Sequence, residues 1–567
     1  MAGTAEAVGA AGAVADPLGH LGAGATLVEA FQATAAERPG QGALRTSDGA
    51  VSLTWAECAE RVRRLAGGLA GLGVRAGDTV ALMTSSRPEF NLVDTAAPHL
   101  GAVPWSIYLT SSPSQIRFVL AGAGSRVVVC ERAVTDRVRA ALAGTAVEHV
   151  VAIEELDTLP EAPPGFDFEA SWRAVDADGV LTIIWTSGTT GEPKPVELTH
   201  RGMLAMLRAY TALAGLPRGG RGTSYLPNAH VGDRWSAHYW WMLLGFEVTC
   251  VPDPTQIVAV LPSVRPTLWG SVPRVWEKLR AALEAQGITD PESLPRAVAA
   301  GVREKLGLDQ VRFLLVGAAP LPAETLRYFA ALGLPVSEVW GMSETCGILT
   351  ANPPGDLRYG TVGQPLPGVE LRIADDGEVL AKGPQLMRGY RGRPDLTAET
   401  IVDGWLHTGD IGRLDADGYL SIVDRKKELI INAAGKNMSP LAIELALKTA
   451  GPLIGQACAI GDRRPYTVAL LVLDPDGARA WAAARGRTDT AADTDYAALT
   501  EDPDLLADIA AEVAAANAEL SRVEQIKRWR LLPTDWLPDG DELTPTLKMR
   551  RRVIESKYAA TIEEMYA

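Results

Sequence analysis

The sequence predicts an α/β protein with a large N-terminal domain, a β-rich subdomain and a small α+β C-terminal domain. Three observations point there. Short apolar runs alternate with helical patterns from about Leu27 to Leu349. Asp-Gly pairs between strand-like runs take over near Gly360. Helices and strands mix again beyond Asp424. At 567 residues the chain exceeds what one compact core organises.

The elements follow in order. Residues 1–25 are rich in Ala, Gly and Val without a basic start, which predicts a flexible tail and no signal peptide. "WAECAERVRRLAGGLAGLG" has helical spacing and ends on Gly. "DTVALM", "SRVVVC", "LTIIW" and "VRFLLVG" read as buried strands of a largely parallel sheet covered on both faces. "RPTLWGSVPRVWEKLRAALEA" reads as strand, turn and helix. In the β-rich part, Asp376-Gly377 and Asp417-Gly418 each mark a hairpin. The charged stretch from Asp424 to Lys427 marks a boundary. Beyond it come a helix from Leu441, the strand pair "ACAIGD" and "TVALLVLD", and a helix carrying Leu506, Ile509, Val513, Leu520 and Val523 along one side.

Composition removes several function classes. Net charge is −15, which disfavours generic nucleic-acid binding. The five Cys form no CxxC or Cys/His cluster, and the seven His show no HExxH, so reduced thiols are expected and no structural metal site. No segment reaches the roughly 18 to 20 apolar residues that span a bilayer. The expectation is a cytoplasmic protein, monomer or homodimer, with a peripheral membrane contact left open.

The segment from Trp185 to Pro195, "WTSGTTGEPKP", carries the first chemical signal. Pro193 and Pro195 oppose a helix, and Thr199 is a candidate N-cap for "HRGMLAMLRAY". The loop is therefore expected between a strand end and a helix start, where ligands collect on open α/β sheets. Gly188 and Gly191 free backbone N–H groups to turn inward. Thr186, Ser187, Thr189 and Thr190 add hydroxyls, and Lys194 adds charge. That set suits phosphate oxygens. It does not fit a Walker A loop, because Glu192 follows Gly191 and Pro195 follows Lys194.

"TSGTTGEPKPVELTH" resembles the phosphate loop of adenylate-forming (AMP-binding) enzymes. "WGMSET", "WLHTGD", "VDRKKELI", "GKNMSP" and "LTPTLKMRR" follow in that family's order. The resemblance runs from "LTWAECAERV" to the C-terminal Lys element. "GSVPRVWEKL" and "ELTPTLKMRR" resemble the long-chain acyl-CoA synthetase branch in particular. The resemblance implies stacked mixed sheets with helices in a large domain, residues 26–424, with its β-rich subdomain at about 355–424. It also implies a small mobile domain, 425–567, with a hinge near Lys427.

It further implies chemistry in two halves. A carboxylate attacks the α-phosphate of ATP, giving acyl-AMP and pyrophosphate; a thiol, usually of coenzyme A, then takes the acyl group. The implied cofactors are ATP, Mg²⁺ and coenzyme A, and the implied partner is a small-molecule carboxylic acid.

By resemblance, Thr186, Ser187, Gly188, Thr189, Thr190, Gly191 and Lys194 hold the β- and γ-phosphates. Glu344, with Thr186, ligates Mg²⁺. Ser343, beside Gly341 and Met342, reaches the α-phosphate. Gly317, Ala318 and Ala319 form a small-residue turn beside adenine and the acyl chain. Asp410 and Arg425 take the ribose, and Lys548 bridges the acid and the α-phosphate. Gly435 and Lys436 belong to the coenzyme A side.

Three readings stay open. Trp340 stacks on adenine or is a core aromatic. His230 lies near the substrate carboxylate or is a packed histidine. Trp235, Tyr239 and Trp240, with Gly317 and Gly341, line an acyl pocket, or the aromatics fill the core. "VGDRWS" after His230 departs from the long-chain pattern, which admits a bulky polycyclic or aromatic acid as well as a fatty acid. An alternative function is loading of the acyl group onto a separate carrier protein.

Overall fold

A computed structural model describes residues 18, 21–22, 24–186, 193–433, 436–486, 499–537, 540–544 and 548–567. The buried apolar runs assemble into a seven-stranded sheet ordered Gly389–Tyr390, Lys194–Thr199, Val180–Thr186, Val103–Ser106, Thr79–Met83, Val127–Cys130 and His149–Ala152. The last five pair in parallel, and the first two are antiparallel additions.

A second sheet runs Leu268–Ser271, Phe313–Val316, Val336–Trp340, Thr350–Ala351 and Gln364–Pro365, parallel and then antiparallel. The sheets are thus largely parallel with antiparallel additions at their edges, which makes them mixed overall. Hairpin returns close both sheets at the edges where no helical crossover intervenes. Thr79–Met83 and Val127–Cys130 are buried at every position, as strands covered on both faces must be.

The β-rich part follows its turn chemistry. Glu370–Ile373 and Glu378–Lys382 form the first hairpin, and Gly377 takes a left-handed φ of +87° at its turn. Trp405–Leu414 and Leu420–Arg425 form the second. The C-terminal part holds Ile454–Ile460, Thr467–Leu473 and Ile526–Leu531 in one sheet, packed by helices Pro440–Thr449 and Pro503–Glu519. The latter helix ends at Glu519, so Leu520 and Val523 are not on it. Leu520 is already extended, with ψ of 143°.

The loop after Thr186 also departs from expectation. It returns as a strand, Lys194–Thr199, and the helix begins only at His200 with Thr199 as its cap. Proline explains this. A residue preceding proline is pushed to extended conformations, and Lys194 precedes Pro195. In the segment expected as a tail, Leu18, Leu21 and Ala25 pack into the main core. All five cysteines are free and buried. Among the described residues no helix is long and apolar enough to cross a membrane.

Candidate active site

The site is built where the two mixed sheets, the β-rich part and the C-terminal part meet. At the hairpin, Thr186 and Lys194 are cross-strand partners, and Thr186 Oγ1 donates to the Lys194 carbonyl at 3.4 Å. Ser187, Gly188, Thr189, Thr190 and Gly191 lie outside the described residues. The Lys194 ammonium sits 5.1 Å over the Tyr390 ring, a cation–π arrangement. The Tyr390 hydroxyl in turn donates to Glu344 Oε1 at 2.9 Å. One tyrosine therefore ties the loop's cation to the expected metal carboxylate.

Glu344 lies in the short 3₁₀ turn Ser343–Thr345, directly after the Val336–Trp340 strand. Thr345 closes the turn: its hydroxyl donates to the Met342 carbonyl at 2.9 Å and accepts from the Met342 N–H at 3.0 Å. A Cβ at Gly341 would lie 2.1 Å from the Gly347 carbonyl oxygen, so only glycine fits there.

At the end of the neighbouring Phe313–Val316 strand, Gly317 packs against Val339, and Ala318 holds a left-handed φ of +71°. Ala318 and Ala319 are exposed. An alanine in that region is strained by about 1–2 kcal/mol, which marks the turn as held by its surroundings.

Asp410 and Arg425 are cross-strand partners in the second hairpin. Arg425 Nε lies 2.8 Å from Asp410 Oδ1, and the Trp340 indole N–H donates to Oδ2 at 2.9 Å. Trp340 is therefore half-buried and tethered by its edge, and its ring plane is oriented by Asp410. Burial lifts the Asp410 carboxyl above its ordinary value, against the pull of Arg425 and Trp340. Each Asp410 oxygen keeps a second lone pair for a ligand hydroxyl.

Lys548 arrives from the far end of the chain. Its backbone is fixed in a tight loop, with Thr544 N–H donating to the Lys548 carbonyl at 2.8 Å and Lys548 N–H to Thr544 Oγ1 at 3.0 Å. Its ammonium lies in the field of Arg425, Asp410, Glu344 and Glu428. Burial, then Arg425, lowers its pKa from the usual lysine value. His230 completes the group. Burial, then Lys548, lowers its pKa to about 4, and its Nδ1 accepts from the Gly232 N–H at 3.0 Å. His230 is thus neutral near pH 7, with Nδ1 engaged.

The expected acyl-pocket aromatics divide. Trp235 lies against Gly347, just past the Ser343–Thr345 turn. Tyr239 and Trp240, for which pocket wall and core filling both stood open, have at most 1% exposure and pack in the core. A π-helical turn over Arg234–Tyr239 sets their register. Trp240 packs on Tyr210 and donates to Thr211, and Tyr239 receives a hydrogen bond from Arg234.

Sequence reasoning missed the buried polar group behind His230. Arg234 pairs with Asp94 at 2.8 Å, and His238 with Asp94 at 3.0 Å. Burial works to raise Asp94, but Arg234 and His238 outweigh it and its pKa falls. Asp233, next to Arg234 in sequence, makes no ion pair among the described residues, and burial pushes its pKa up to about 7 against the pull of Ser224 and Arg234. It borders a small cavity of about 20 Å³ with Leu226, Ser236, Trp269 and Leu315.

The remaining expected residues lie apart. Lys427 is exposed just past the Leu420–Arg425 strand, and Lys436 is exposed on a turn held by Asn432. Gly435 lies outside the described residues.

This arrangement has counterparts. Residues 31–391 match the AMP-binding enzyme family, and residues 427–567 match the AMP-binding enzyme C-terminal domain. A Mycobacterium tuberculosis protein provisionally named fatty-acid–CoA ligase fadD11 is 49% identical over 71% of this chain and 76% of its own. Long-chain-fatty-acid–CoA ligase FadD15 of Mycobacterium bovis is 37% identical over 91% and 92%. Among solved structures, the anthranilate CoA ligase AuaEII in complex with anthranoyl-AMP superposes with a TM-score of 0.75. It has 19% identity and covers 96% of this chain and 99% of that one. That fold has a large N-terminal and a smaller C-terminal domain, as here. The chain belongs to the AMP-binding enzyme family and is an AMP-forming ligase.

Proposed function

We propose that the protein joins a hydrophobic carboxylic acid to coenzyme A through an acyl-adenylate. The single observation that carries this reading is the position of Lys548. A lysine from the C-terminal part stands among Asp410, Glu344 and His230 of the large part, with Arg425 at the boundary. The names of the fatty-acid–CoA ligase relatives support the acid and the thiol.

In the first half, a carboxylate oxygen bonds to the α-phosphorus of ATP, and the bond to pyrophosphate breaks. Like charges must meet, so cations are needed. Lys548 bridges the two anions as a point charge on a flexible stem. Lys194 and the loop hydroxyls of residues 186–190 take the leaving phosphates. Asp410 and Arg425 hold the ribose, Trp340 offers its face to adenine, and Ser343 reaches the α-phosphate. Neutral His230 lies beside the acid without adding negative charge.

In the second half, the thiol sulfur bonds to the acyl carbon, the bond to AMP breaks and the thiol proton is released. Gly435 and Lys436 would serve that half, after the small domain (425–567) turns about Lys427 relative to the large one (26–424).

Mg²⁺ fits the residues present. Among the described residues there is no group of three or more potential metal ligands. Glu344 is one carboxylate oriented by Tyr390, with Thr186 as a hydroxyl ligand. Mg²⁺ keeps waters and nucleotide phosphates as its other ligands, so one carboxylate suffices. It would neutralise phosphate charge.

The test is pyrophosphate release over a panel of fatty, aromatic and terpenoid acids, with acyl-CoA measured alongside. Acid-dependent release with coenzyme A as the sole thiol acceptor is expected. Release without acyl-CoA would point to a carrier protein. No release with any acid would overturn the reading. Lys548→Ala should lose adenylation at least a hundredfold yet still convert supplied acyl-AMP to thioester; equal loss in both halves would refute its role.

A further inference from the structure

We infer that Arg274 is a positioning residue that docks the C-terminal part so that Lys548 enters the site. The inference rests on the adenylation reading above.

Arg274 stands in the first turn of helix Pro273–Ala285, which follows the Leu268–Ser271 strand directly. That strand lies parallel beside the Phe313–Val316 strand, which Gly317 follows, so Arg274 sits at the same end of the sheet as the site. The helix is anchored by Trp276, fully buried and edge-on to Trp269 and Phe329, each at 4.9 Å. Arg274 is thus a guanidinium on a rigid support.

Its Nη2 lies 2.6 Å from Asp474 Oδ2 in the C-terminal part. Asp474 is itself rigid. It caps helix Pro475–Ala484, and its Oδ1 accepts from the Asp476 and Gly477 N–H groups at 2.9 Å each. One oxygen fixes the carboxylate and the other meets Arg274. This pair is partly buried, with side chains 33% and 12% exposed. The surrounding contacts are looser: Lys278 to Asp476 and Lys448 to Glu277, both at 3.9 Å. The first of these is exposed, and at this length both contribute little. Asp535 also lies in the field of Arg274. One cation therefore gathers carboxylates from separate segments of the C-terminal part.

The mechanical link to Lys548 runs through one sheet. Asp474 directly follows the Thr467–Leu473 strand. One face of that strand, Val468, Leu470 and Val472, packs against Leu543 and Ile554. Leu543 bridges to Met549, next to Lys548. Seating Asp474 against Arg274 thus sets where the Lys548 loop stands.

The experiment uses Arg274→Ala and Asp474→Asn in the full chain; Asn keeps the helix cap and drops the charge. Acid-dependent exchange of pyrophosphate into ATP should fall at least fivefold in kcat for each variant, with KM for ATP within twofold. Thioester formation from supplied acyl-AMP and the melting temperature should stay near wild type. The double variant should be no worse than either single one, since both remove one interaction. Tryptic cleavage after the exposed Lys427 should rise several-fold in all three, a readout independent of catalysis.

Wild-type exchange in Arg274→Ala with unchanged cleavage would overturn the inference. So would equal loss in both half-reactions, or additive losses in the double variant. Absence of exchange in the wild-type protein would instead sink the adenylation reading itself.

Discussion

Tyr390 shows how one hydroxyl organises charge. Its O–H serves Glu344 Oε1, while its ring lies under Lys194. Tyr390→Phe keeps the ring and removes the donor. A hydrogen bond to a charged group contributes about 1.5–3 kcal/mol, so kcat/KM for ATP should fall by about tenfold or more. Steady-state kinetics at saturating acid would check it.

Lys548 makes a pH prediction. Burial and Arg425 lower its pKa, and only the charged form can bridge two anions. Adenylation should be fully present below that lowered pKa and lost as pH rises through it, at lower pH than an ordinary lysine near 10.5 would allow. A pH profile of exchange reads this limb, and Lys548→Arg should remove it from the accessible range. Burial and Lys548 lower the His230 pKa to about 4, so His230 is expected to contribute no acid limb near neutral pH.

At the scale of elements, the turn after Val336–Trp340 depends on backbone meeting backbone. Gly341→Ala would place a Cβ 2.1 Å from the Gly347 oxygen, and neither side has a flexible end to move. Overpacking of this kind costs about 1–3 kcal/mol, and here the upper end is expected. Thermal melting should show that loss, and exchange should fall with it because Ser343 and Glu344 ride on the same turn.

Much of this element was legible beforehand. "WGMSET" singled out this segment by its resemblance, and Thr199 marked the helix start correctly. The strand after the loop was not legible, because Pro193 and Pro195 forbid a helix without naming what replaces it. Tyr390 was missed for a similar reason. Its only local sign was an aromatic flanked by Gly389 and Gly392, and its partners lie at residues 194 and 344.

At the scale of the molecule, the C-terminal part is held together by a buried ion cluster. Arg551 meets Glu444 and Glu428, and Glu444 also accepts from the Ala459 N–H at 2.8 Å. Removing Arg551 leaves a buried carboxylate unpaired, a change of about 3–5 kcal/mol. Arg551→Ala should therefore lower one calorimetric transition, that of the C-terminal part, and leave the other in place. Arg551→Met with Glu444→Leu should recover part of the loss, since the most buried carboxylate of the cluster is then removed together with its cation. A single uniform shift of both transitions would count against this separation.

The sequence by itself determined the buried strands of the large part and the two Asp-Gly hairpins, because these depend on neighbours a few positions apart, while the residues expected to hold phosphates, ribose and an acid followed from the family resemblance. Only the tertiary structure decided how deeply each aromatic after His230 is buried and what it packs on. A π-helical register, invisible to periodicity, turned Tyr239 and Trp240 inward. It also decided the charge states. Asp233 and Asp94 are both buried aspartates, yet one is lifted and the other lowered by whether a guanidinium pairs with it. Burial and distant partners set those energies, and neither can be read from local sequence.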